Sequence, residues 1–164
     1  MQRLNASLQH APIRPVTVLQ YGEGNFLRAF VDHMLDIANE QGRMNAGIAL
    51  VKPIAFGSLD ALREQDCRYT VILRGLENGM CVEKTRLITS VMDAVDAGAE
   101  YERYAAYARL ETLRFVVSNT TEAGIVLDVN DRFELTPPAT YPGKLTKLLF
   151  ERAEAFGYAA DKGL

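Results

Sequence analysis

A buried strand, a glycine turn and an amphipathic helix follow one another early in the chain, and this succession constrains the fold most. The strand is the β-branched, apolar stretch VTVLQY, residues 16–21, bounded by Pro15 and Gly22. Gly22 and Gly24 form a turn, and apolar residues then recur at steps of three and four over residues 27–38. A strand that passes through a glycine turn into a helix is the first unit of a dinucleotide-binding fold.

The helix after the turn carries one apolar stripe, which predicts the face that is buried. The stripe consists of Leu27, Phe30, Val31, Met34, Leu35 and Ala38. We expect the polar residues of the helix, Asp32 and Asp36 among them, to lie away from that face. Asn25 suits the N-cap position, and Gly42 suits the end of the helix.

Strands and helices alternate along the rest of the chain. The patterns predict buried strands at residues 47–51 and 114–118 and helices at residues 101–110 and 144–156. A hairpin is expected between residues 69–74 and 80–88, because Asn78-Gly79 is a strong turn signal.

This alternation predicts an α/β fold: a Rossmann-like, mostly parallel sheet with helices on both faces and an inserted β-hairpin. A chain of 164 residues is long enough for one domain with a buried core. We expect residues 1–15 to form a loose lead-in and residues 16–164 to form one dinucleotide-binding domain.

Charge and composition exclude several classes of function. The formal net charge of −3 gives no electrostatic basis for binding nucleic acid. No apolar run approaches the roughly 18–20 residues that span a bilayer, and the start of the chain lacks the apolar core of a signal peptide. We therefore expect a cytoplasmic protein with no membrane partner. Cys67, Cys81, His10 and His33 form no recognisable metal or redox motif, so we expect reduced thiols and no metal site.

The glycine turn suits the pyrophosphate of a dinucleotide. Because Gly22 and Gly24 have no side chains, the backbone can approach the phosphates closely, and the helix N-terminus that follows favours an anion. Arg28, one turn into the helix, can add a charge-assisted contact. Leu27 occupies the third glycine position of the usual G-x-G-x-x-G pattern, which leaves open a turn that only needs glycine conformations.

The acid that usually binds the adenosine ribose is missing from the end of the second strand. That end reads Val51-Lys52-Pro53, where a dinucleotide-binding domain usually has Asp or Glu. Lys52 either faces the 2′-phosphate of NADP or is a solvated lysine, and the solvated lysine is the favoured interpretation. Asp60 is a weak substitute for the missing acid.

Five stretches of the chain resemble the long-chain mannitol dehydrogenase family, and together they cover nearly all of it from Val16 onward. They are VLQYGEGNFLRAFVDHML (residues 18–35), VKPI (51–54), EQDCRYTVILRG (64–75), RFVVSNTTEAGI (114–125) and YPGKLTKLLFER (141–152). The stretches GEGNFLRAF and SNTTEAG are the most specific. Family members that act on mannitol and mannonate usually read more like GxGxFHRAH, so residues 25–30 place the resemblance in the tagaturonate reductase branch.

The resemblance implies a cofactor, a reaction and a set of binding residues. NADH would reduce the keto group of D-tagaturonate to give D-altronate, with NAD rather than NADP as the usual cofactor. A missing third glycine is normal in this family. The residues that match its cofactor-side positions are Gly22, Gly24, Asn25, Phe26, Arg28, Asn119, Thr120, Glu122 and Gly124. An accessory role for Glu122 near the nicotinamide is a hypothesis, and the alternative is a carboxylate that stabilises a helix start.

The family's catalytic residues are expected outside this chain. Members of the family have a second, mostly helical domain, which supplies a catalytic lysine with asparagine and histidine partners. The resemblance therefore implies the NAD-binding part of a longer enzyme of hexuronate breakdown, whose substrate is a small sugar acid. We expect no catalysis by this chain alone. We also expect it to self-associate, because truncation would uncover apolar surface and a strand edge.

Three alternatives stay open at this point. Within the family, the substrate can instead be mannonate or a polyol. Tyr158 and Lys162 form the Y-x-x-x-K pair of short-chain dehydrogenases, although the glycine turn does not match that family. The domain can also be a nucleotide-sensing or scaffolding module without chemistry of its own, which no residue positively supports.

Overall fold

Ten helices and strands build the fold, and the computed structural model describes residue 4 and residues 11–159. In chain order they are β1 Val16–Tyr21, α1 Asn25–Glu40, β2 Gly47–Lys52, α2 Asp60–Arg63, β3 Tyr69–Glu77, β4 Met80–Ile88, β5 Val91–Asp96, α3 Tyr101–Ala105, β6 Phe115–Ser118 and α4 Tyr141–Ala155. Short 3-10 turns lie at Ala106–Arg109 and Glu122–Gly124. Most of the predicted lead-in, including His10, lies outside the described residues.

Four of these strands form a parallel sheet in the order β5-β2-β1-β6. Parallel strands end at the same edge, so the glycine turn after β1 lies between the chain segments that leave β2 and β6. All six residues of β2 are buried, as expected for a central parallel strand with both faces covered.

The sheet is covered on both faces, which confirms the predicted α/β architecture. On one face, Leu19 and Tyr21 of β1 lie in a core that includes residues of α3 and α4. On the other face, Val18 lies in a core with residues of α2, β3 and β4, and Leu35 of α1 packs against it. The alternation of side chains along β1 therefore gives each face its own apolar layer.

The inserted hairpin is also confirmed. Strands β3 and β4 pair antiparallel from Tyr69 opposite Ile88 to Glu77 opposite Met80, which leaves only Asn78 and Gly79 in the turn. These two residues have φ values of 51° and 78°. Both lie in the left-handed region that a two-residue hairpin turn requires, which explains why Asn-Gly occurs there.

Helix α1 buries a different face from the one its apolar stripe predicts. Asp32 and Asp36 are buried, whereas Phe30 is 53% exposed. The predicted orientation was wrong because the hairpin packs beside α1 and supplies partners for both acids. The Tyr69 hydroxyl donates to Asp32, and the Arg86 guanidinium pairs with Asp36 at 2.8 Å.

Strand β5 was not predicted from the sequence. Its sequence, VMDAVD, breaks the apolar run with Asp93 and Asp96. Both acids find partners within the fold: the Tyr107 hydroxyl donates to Asp93 at 2.5 Å, and Lys52 pairs with Asp96. Acidic residues are thus tolerated in this edge strand because neighbouring elements satisfy them.

Candidate functional site

A cleft of about 770 Å³ opens where the chain leaves the carboxyl ends of β1 and β6. Its walls come from the glycine turn after β1, the segment after β2 and the long loop between β6 and α4. The lining includes Gly22, Glu23, Gly24, Pro53, Ile54, Asn119, Thr120, Asp128, Thr140 and Tyr141. This is the edge at which α/β sheets bind their ligands.

The two glycines of the turn are needed for different reasons. Gly22 has a φ of 115°, which side chains rarely allow, and its N–H donates to the Val51 carbonyl at 2.9 Å. Gly24 has an ordinary φ of −67°, and a Cβ added there would meet no atom within 4 Å. The fold therefore explains Gly22, but neither conformation nor packing explains Gly24, which lies in the cleft wall.

The N-terminus of α1 is open towards a ligand. Gly24 is the N-cap and has no side chain to cap the first turn, which also contains no acidic residue. The predicted N-cap, Asn25, is instead the first helical residue, and its Oδ1 accepts a hydrogen bond of 2.6 Å from Arg28. The helix start thus presents uncapped N–H groups and the positive end of the helix dipole.

At the start of α4, on the other side of the cleft, backbone N–H groups already have hydrogen-bond acceptors within the protein. Thr140 is its N-cap, and the hydroxyl accepts from the Gly143 N–H at 3.1 Å. The Asp131 carboxylate accepts further hydrogen bonds from the Ala139 and Thr140 N–H groups. Of the two helix starts beside the cleft, α1 therefore has the greater capacity for an anion.

Three residues that match the family's glycine turn lie outside the cleft wall: Asn25, Phe26 and Arg28. Phe26 is 58% exposed and contacts Phe30, with 5.5 Å between the ring centroids. The Arg28 guanidinium lies 5.3 Å from the centre of the Tyr69 ring and donates to Asn25. Arg28 is therefore directed towards the hairpin, so a contact with phosphate would require its side chain to turn.

Of the residues predicted to bind the cofactor after β6, some line the cleft and one does not. Asn119 and Thr120 line the cleft, whereas Glu122 is exposed at the start of its 3-10 turn and does not line it. A Cβ added at Gly124 would lie 2.4 Å from the Thr120 side chain, so a glycine is needed for this turn to close. The position of Glu122 gives no support to an accessory role near the nicotinamide.

Several lining residues were not singled out from the sequence. Glu23 lies between the two glycines, and its position there was the signal that could have identified it. The β6–α4 loop, with Asp128, also contributes to the wall. This loop is held by two lysines of α4: Lys144 donates to the Ala139 carbonyl and Lys147 to the Leu135 carbonyl, each at 2.7 Å.

Lys52 has neither of the two environments expected from the sequence. It is only 3% exposed, and its ammonium group pairs with Asp96 Oδ2 at 2.5 Å. Burial alone would raise the pKa of Asp96, but hydrogen bonds from Lys52 and from the Ala99 and Gly98 N–H groups hold it below its ordinary value. Lys52 is thus neither a solvated lysine nor free for a 2′-phosphate. Asp60, the suggested substitute acid, is exposed and does not line the cleft.

A buried polar network lies directly behind the glycine turn. The Gln20 amide donates weakly to Asp32 Oδ2 at 3.4 Å and to the Gly22 carbonyl at 3.5 Å. Tyr69 donates to the same Asp32 oxygen. Burial raises the pKa of Asp32 from 3.8 to about 6, although the hydrogen bonds from Tyr69 and Gln20 oppose that shift. The network links the hairpin to the backbone of the turn.

A second large cavity, of about 650 Å³, lies beside β5, and two of the three arginines that line it, Arg63 and Arg103, are paired with acids. Arg63 forms an ion pair with Glu100, and Arg103 forms ion pairs with Asp93 and Glu100. These acids cancel much of the positive charge, so this cavity is a weaker candidate for an anionic cofactor than the cleft.

Other candidate groups are not assembled into sites in the part of the chain that the structure describes. No cluster of His, Cys, Asp and Glu residues there could hold a metal ion, and Cys67 and Cys81 are both free. Tyr158 follows α4 and is 69% exposed, and its proposed partner Lys162 lies outside the described residues. Over the same residues, every helix is too short or too polar to cross a membrane.

Comparison with known sequences gives one family. A family model described as the mannitol dehydrogenase Rossmann domain matches residues 16–164. The altronate oxidoreductase of Klebsiella pneumoniae subsp. pneumoniae is 51% identical over 150 residues, which are 91% of this chain and 31% of that protein. The altronate oxidoreductase of Bacillus subtilis is 43% identical over 164 residues, which are 99% of this chain and 34% of that protein. The chain thus spans about a third of the length of these relatives.

Solved structures give the same fold. A D-sorbitol dehydrogenase in substrate-free form matches with a TM-score of 0.72 at 19% identity, over 94% of this chain and 37% of that one. A Pseudomonas fluorescens mannitol 2-dehydrogenase, in a ternary complex with NAD and D-mannitol, matches with a TM-score of 0.71 at 22% identity and the same coverage.

Proposed function

This chain belongs to the mannitol dehydrogenase family, and from that premise we propose that its cleft binds NAD(H). The pyrophosphate would be held by the glycine turn and the first N–H groups of α1, and Asn119 and Thr120 would contact the cofactor from the opposite wall. When bound, the cofactor would supply or accept the hydride of an alcohol–ketone interconversion. The residues of this chain bind and orient it.

The observation that carries the proposal is the unexplained glycine at position 24. The backbone there would accept any residue, and the space beside its Cα is open. Such a glycine leaves room for a ligand to approach the backbone at the start of a helix. An uncapped helix start in the wall of a large cleft fits a dinucleotide pyrophosphate.

The charges of the cleft favour NAD over NADP. Its ionisable lining side chains include the acids Glu23 and Asp128 and, among the described residues, no lysine or arginine. Lys52, the residue that could have received a 2′-phosphate, is buried against Asp96. A 2′-phosphate would add negative charge to a cleft whose described lining residues include no side-chain cation to receive it.

The substrate proposal follows from the relatives. Those that are 43–51% identical to this chain are named altronate oxidoreductases, whereas the mannitol and sorbitol enzymes are only 22% and 19% identical. We therefore propose that the protein containing this domain interconverts D-tagaturonate and D-altronate with NADH and NAD, in hexuronate breakdown. The proposal places it in the cytoplasm, where free thiols stay reduced.

Chemistry by these 164 residues alone is not expected. Reduction of a ketone needs a group that donates a proton to the developing alkoxide. Among the described residues, no lysine or histidine lines the cleft, and the two lining phenols, Tyr21 and Tyr141, are buried in the apolar core. We therefore expect the chain to bind NADH without oxidising it in the presence of D-tagaturonate, as a spectrophotometric assay would test.

Calorimetric titration with NADH tests the proposal, and Gly24→Ala is the informative variant. The added methyl group meets no protein atom but occupies the approach to the backbone, so we expect NADH affinity to fall at least about tenfold, or ~1.4 kcal/mol. The free energy of unfolding should change by less than about 1 kcal/mol. Gly75→Ala is the matched control, because that glycine also has open space around it and lies in the hairpin. A folded, unaltered chain that binds no NADH contradicts the proposal.

A further inference from the structure

We propose that Glu23 provides the carboxylate that recognises the adenosine ribose of NAD(H) and excludes the 2′-phosphate of NADP(H). This inference rests on the proposed function and assigns the cofactor preference to one residue. The residue comes from the glycine turn itself, not from the end of β2, where the corresponding acid of dinucleotide-binding domains usually lies.

The position of Glu23 fits this role. Its side chain is half-buried and lines the cleft together with Pro53 and Ile54, the residues that follow β2. A Cβ added at Gly57 would lie 3.0 Å from Glu23 Oε1. The carboxylate therefore extends from the turn after β1 to the loop after β2, and these two segments flank the adenosine ribose in this type of fold.

The end of β2, which usually provides the acid that binds the ribose, does not provide one in this chain. Lys52 ends β2, and Asp96 ends the neighbouring strand β5. Both oxygens of Asp96 are used, because Oδ2 accepts from Lys52 and Oδ1 accepts from the Gly98 and Ala99 N–H groups at 2.9 and 3.0 Å. By contrast, Glu23 forms no hydrogen bond or ion pair with any residue that the structure describes. Its two oxygens are therefore free for a ligand.

NADH and NADPH differ chemically at the 2′-position of the adenosine ribose. The ribose of NADH presents two neighbouring hydroxyl groups, and a carboxylate can accept a hydrogen bond from each of them. NADPH has a phosphate in place of the 2′-hydroxyl, which removes one donor and adds negative charge beside the carboxylate. The same residue thus stabilises one cofactor and repels the other.

The test measures Kd for NADH and for NADPH by calorimetry on the unaltered chain, Glu23→Gln and Asp128→Asn. Glu23→Gln removes the charge and keeps the shape, so we expect NADH to bind roughly tenfold more weakly, since hydrogen bonds to charged groups are the strong ones. The ratio of the NADPH and NADH Kd values should fall by about tenfold or more. Asp128→Asn makes the same charge change in another wall of the cleft, where no contact with the ribose is proposed. It therefore measures the contribution of general negative charge and should lower that ratio by no more than about twofold.

The outcomes separate this inference from the proposed function. If the unaltered chain prefers NADH and Glu23→Gln keeps the same Kd ratio, Glu23 is not the determinant, and the cleft remains the cofactor site. If both substitutions lower the ratio equally, the general negative charge of the cleft causes the preference, and the inference is overturned. If the folded, unaltered chain binds neither cofactor, the proposed function fails and this inference fails with it.

Discussion

The Tyr69 hydroxyl, in hairpin strand β3, donates a 2.5 Å hydrogen bond to Asp32 in helix α1. Asp32 is fully buried, and Gln20 connects it to the carbonyl of Gly22 in the glycine turn. The inserted hairpin therefore supplies the main hydrogen-bond partner of a buried carboxylic acid that lies behind the candidate cofactor site.

Asp32 makes the stability of the chain depend on pH in a predictable direction. Its pKa is raised by burial from 3.8 to about 6, so the folded state binds the proton more tightly than the unfolded state. Its contribution is then most favourable below about pH 4 and is lost as the pH rises towards 6. Asp32→Asn cannot ionise, so its free energy of unfolding relative to the unaltered chain should rise by roughly 1–3 kcal/mol between pH 4 and pH 7.

Urea unfolding of both proteins at several pH values measures this difference. Two charged residues also act on the pKa of Asp32: Arg28 lowers it and Asp36 raises it, and both are retained in the variant. Asp128→Asn is the control, because its half-buried carboxylate lies in the β6–α4 loop, outside the buried network, and accepts from the Asn130 N–H. A difference between the unaltered chain and Asp32→Asn that stays constant with pH would show that folding does not raise the pKa of Asp32, and would contradict the prediction.

Lys52→Met distinguishes a structural lysine from a cofactor-binding one. The substitution leaves Asp96 as a partly buried acid without its ion-pair partner, so we expect a loss of roughly 3 kcal/mol of stability. At a temperature where the variant remains folded, the ratio of NADPH and NADH Kd values should be unchanged, since the Lys52 ammonium group does not face the cleft. Weaker NADPH binding alone would instead place Lys52 at the 2′-phosphate, as one of the two sequence interpretations suggested.

Self-association of the chain remains a prediction, and the structure identifies the surface to test. The exposed stripe of α1, with Phe30 and Met34, forms an apolar groove with Phe115 of the edge strand β6. A second copy offers the same stripe and the same open strand edge, so a two-fold pairing would cover both. Light scattering after size-exclusion chromatography should give a dimer, and Phe30→Asp should give a monomer. A monomeric, unaltered chain at high concentration would contradict the prediction.

The periodicity and turn residues of the sequence were sufficient to predict the elements whose structure depends on neighbouring residues. β1 has the predicted bounds, and the Asn78-Gly79 turn forms the predicted hairpin, because turn conformation and strand propensity act over a few residues. The orientation of α1 was not predictable in this way. Tyr69 and Arg86, which allow Asp32 and Asp36 to be buried, come from strands that follow far along the chain.

For the site too, the sequence predicted the features that neighbouring residues determine and missed those that depend on distant residues. The glycine turn was recognisable because Gly22 and Gly24 follow a strand directly, and they do line the cleft. Lys52 was misjudged because its partner, Asp96, lies in a strand that the apolar pattern did not reveal. Glu23 was overlooked because its significance depends on the loop after β2, which folding brings beside the turn.

A nuclear magnetic resonance titration of the labelled chain with NADH tests the central claim most directly, because it reports where the cofactor binds. We predict that the backbone amide signals that move most belong to residues 22–27, at the glycine turn and the start of α1, and to residues 119–121 on the opposite wall. Changes centred on Arg63 and Arg103 would place the cofactor in the cavity beside β5 and would contradict the account. A well-dispersed spectrum that does not change with NADH would contradict it as well.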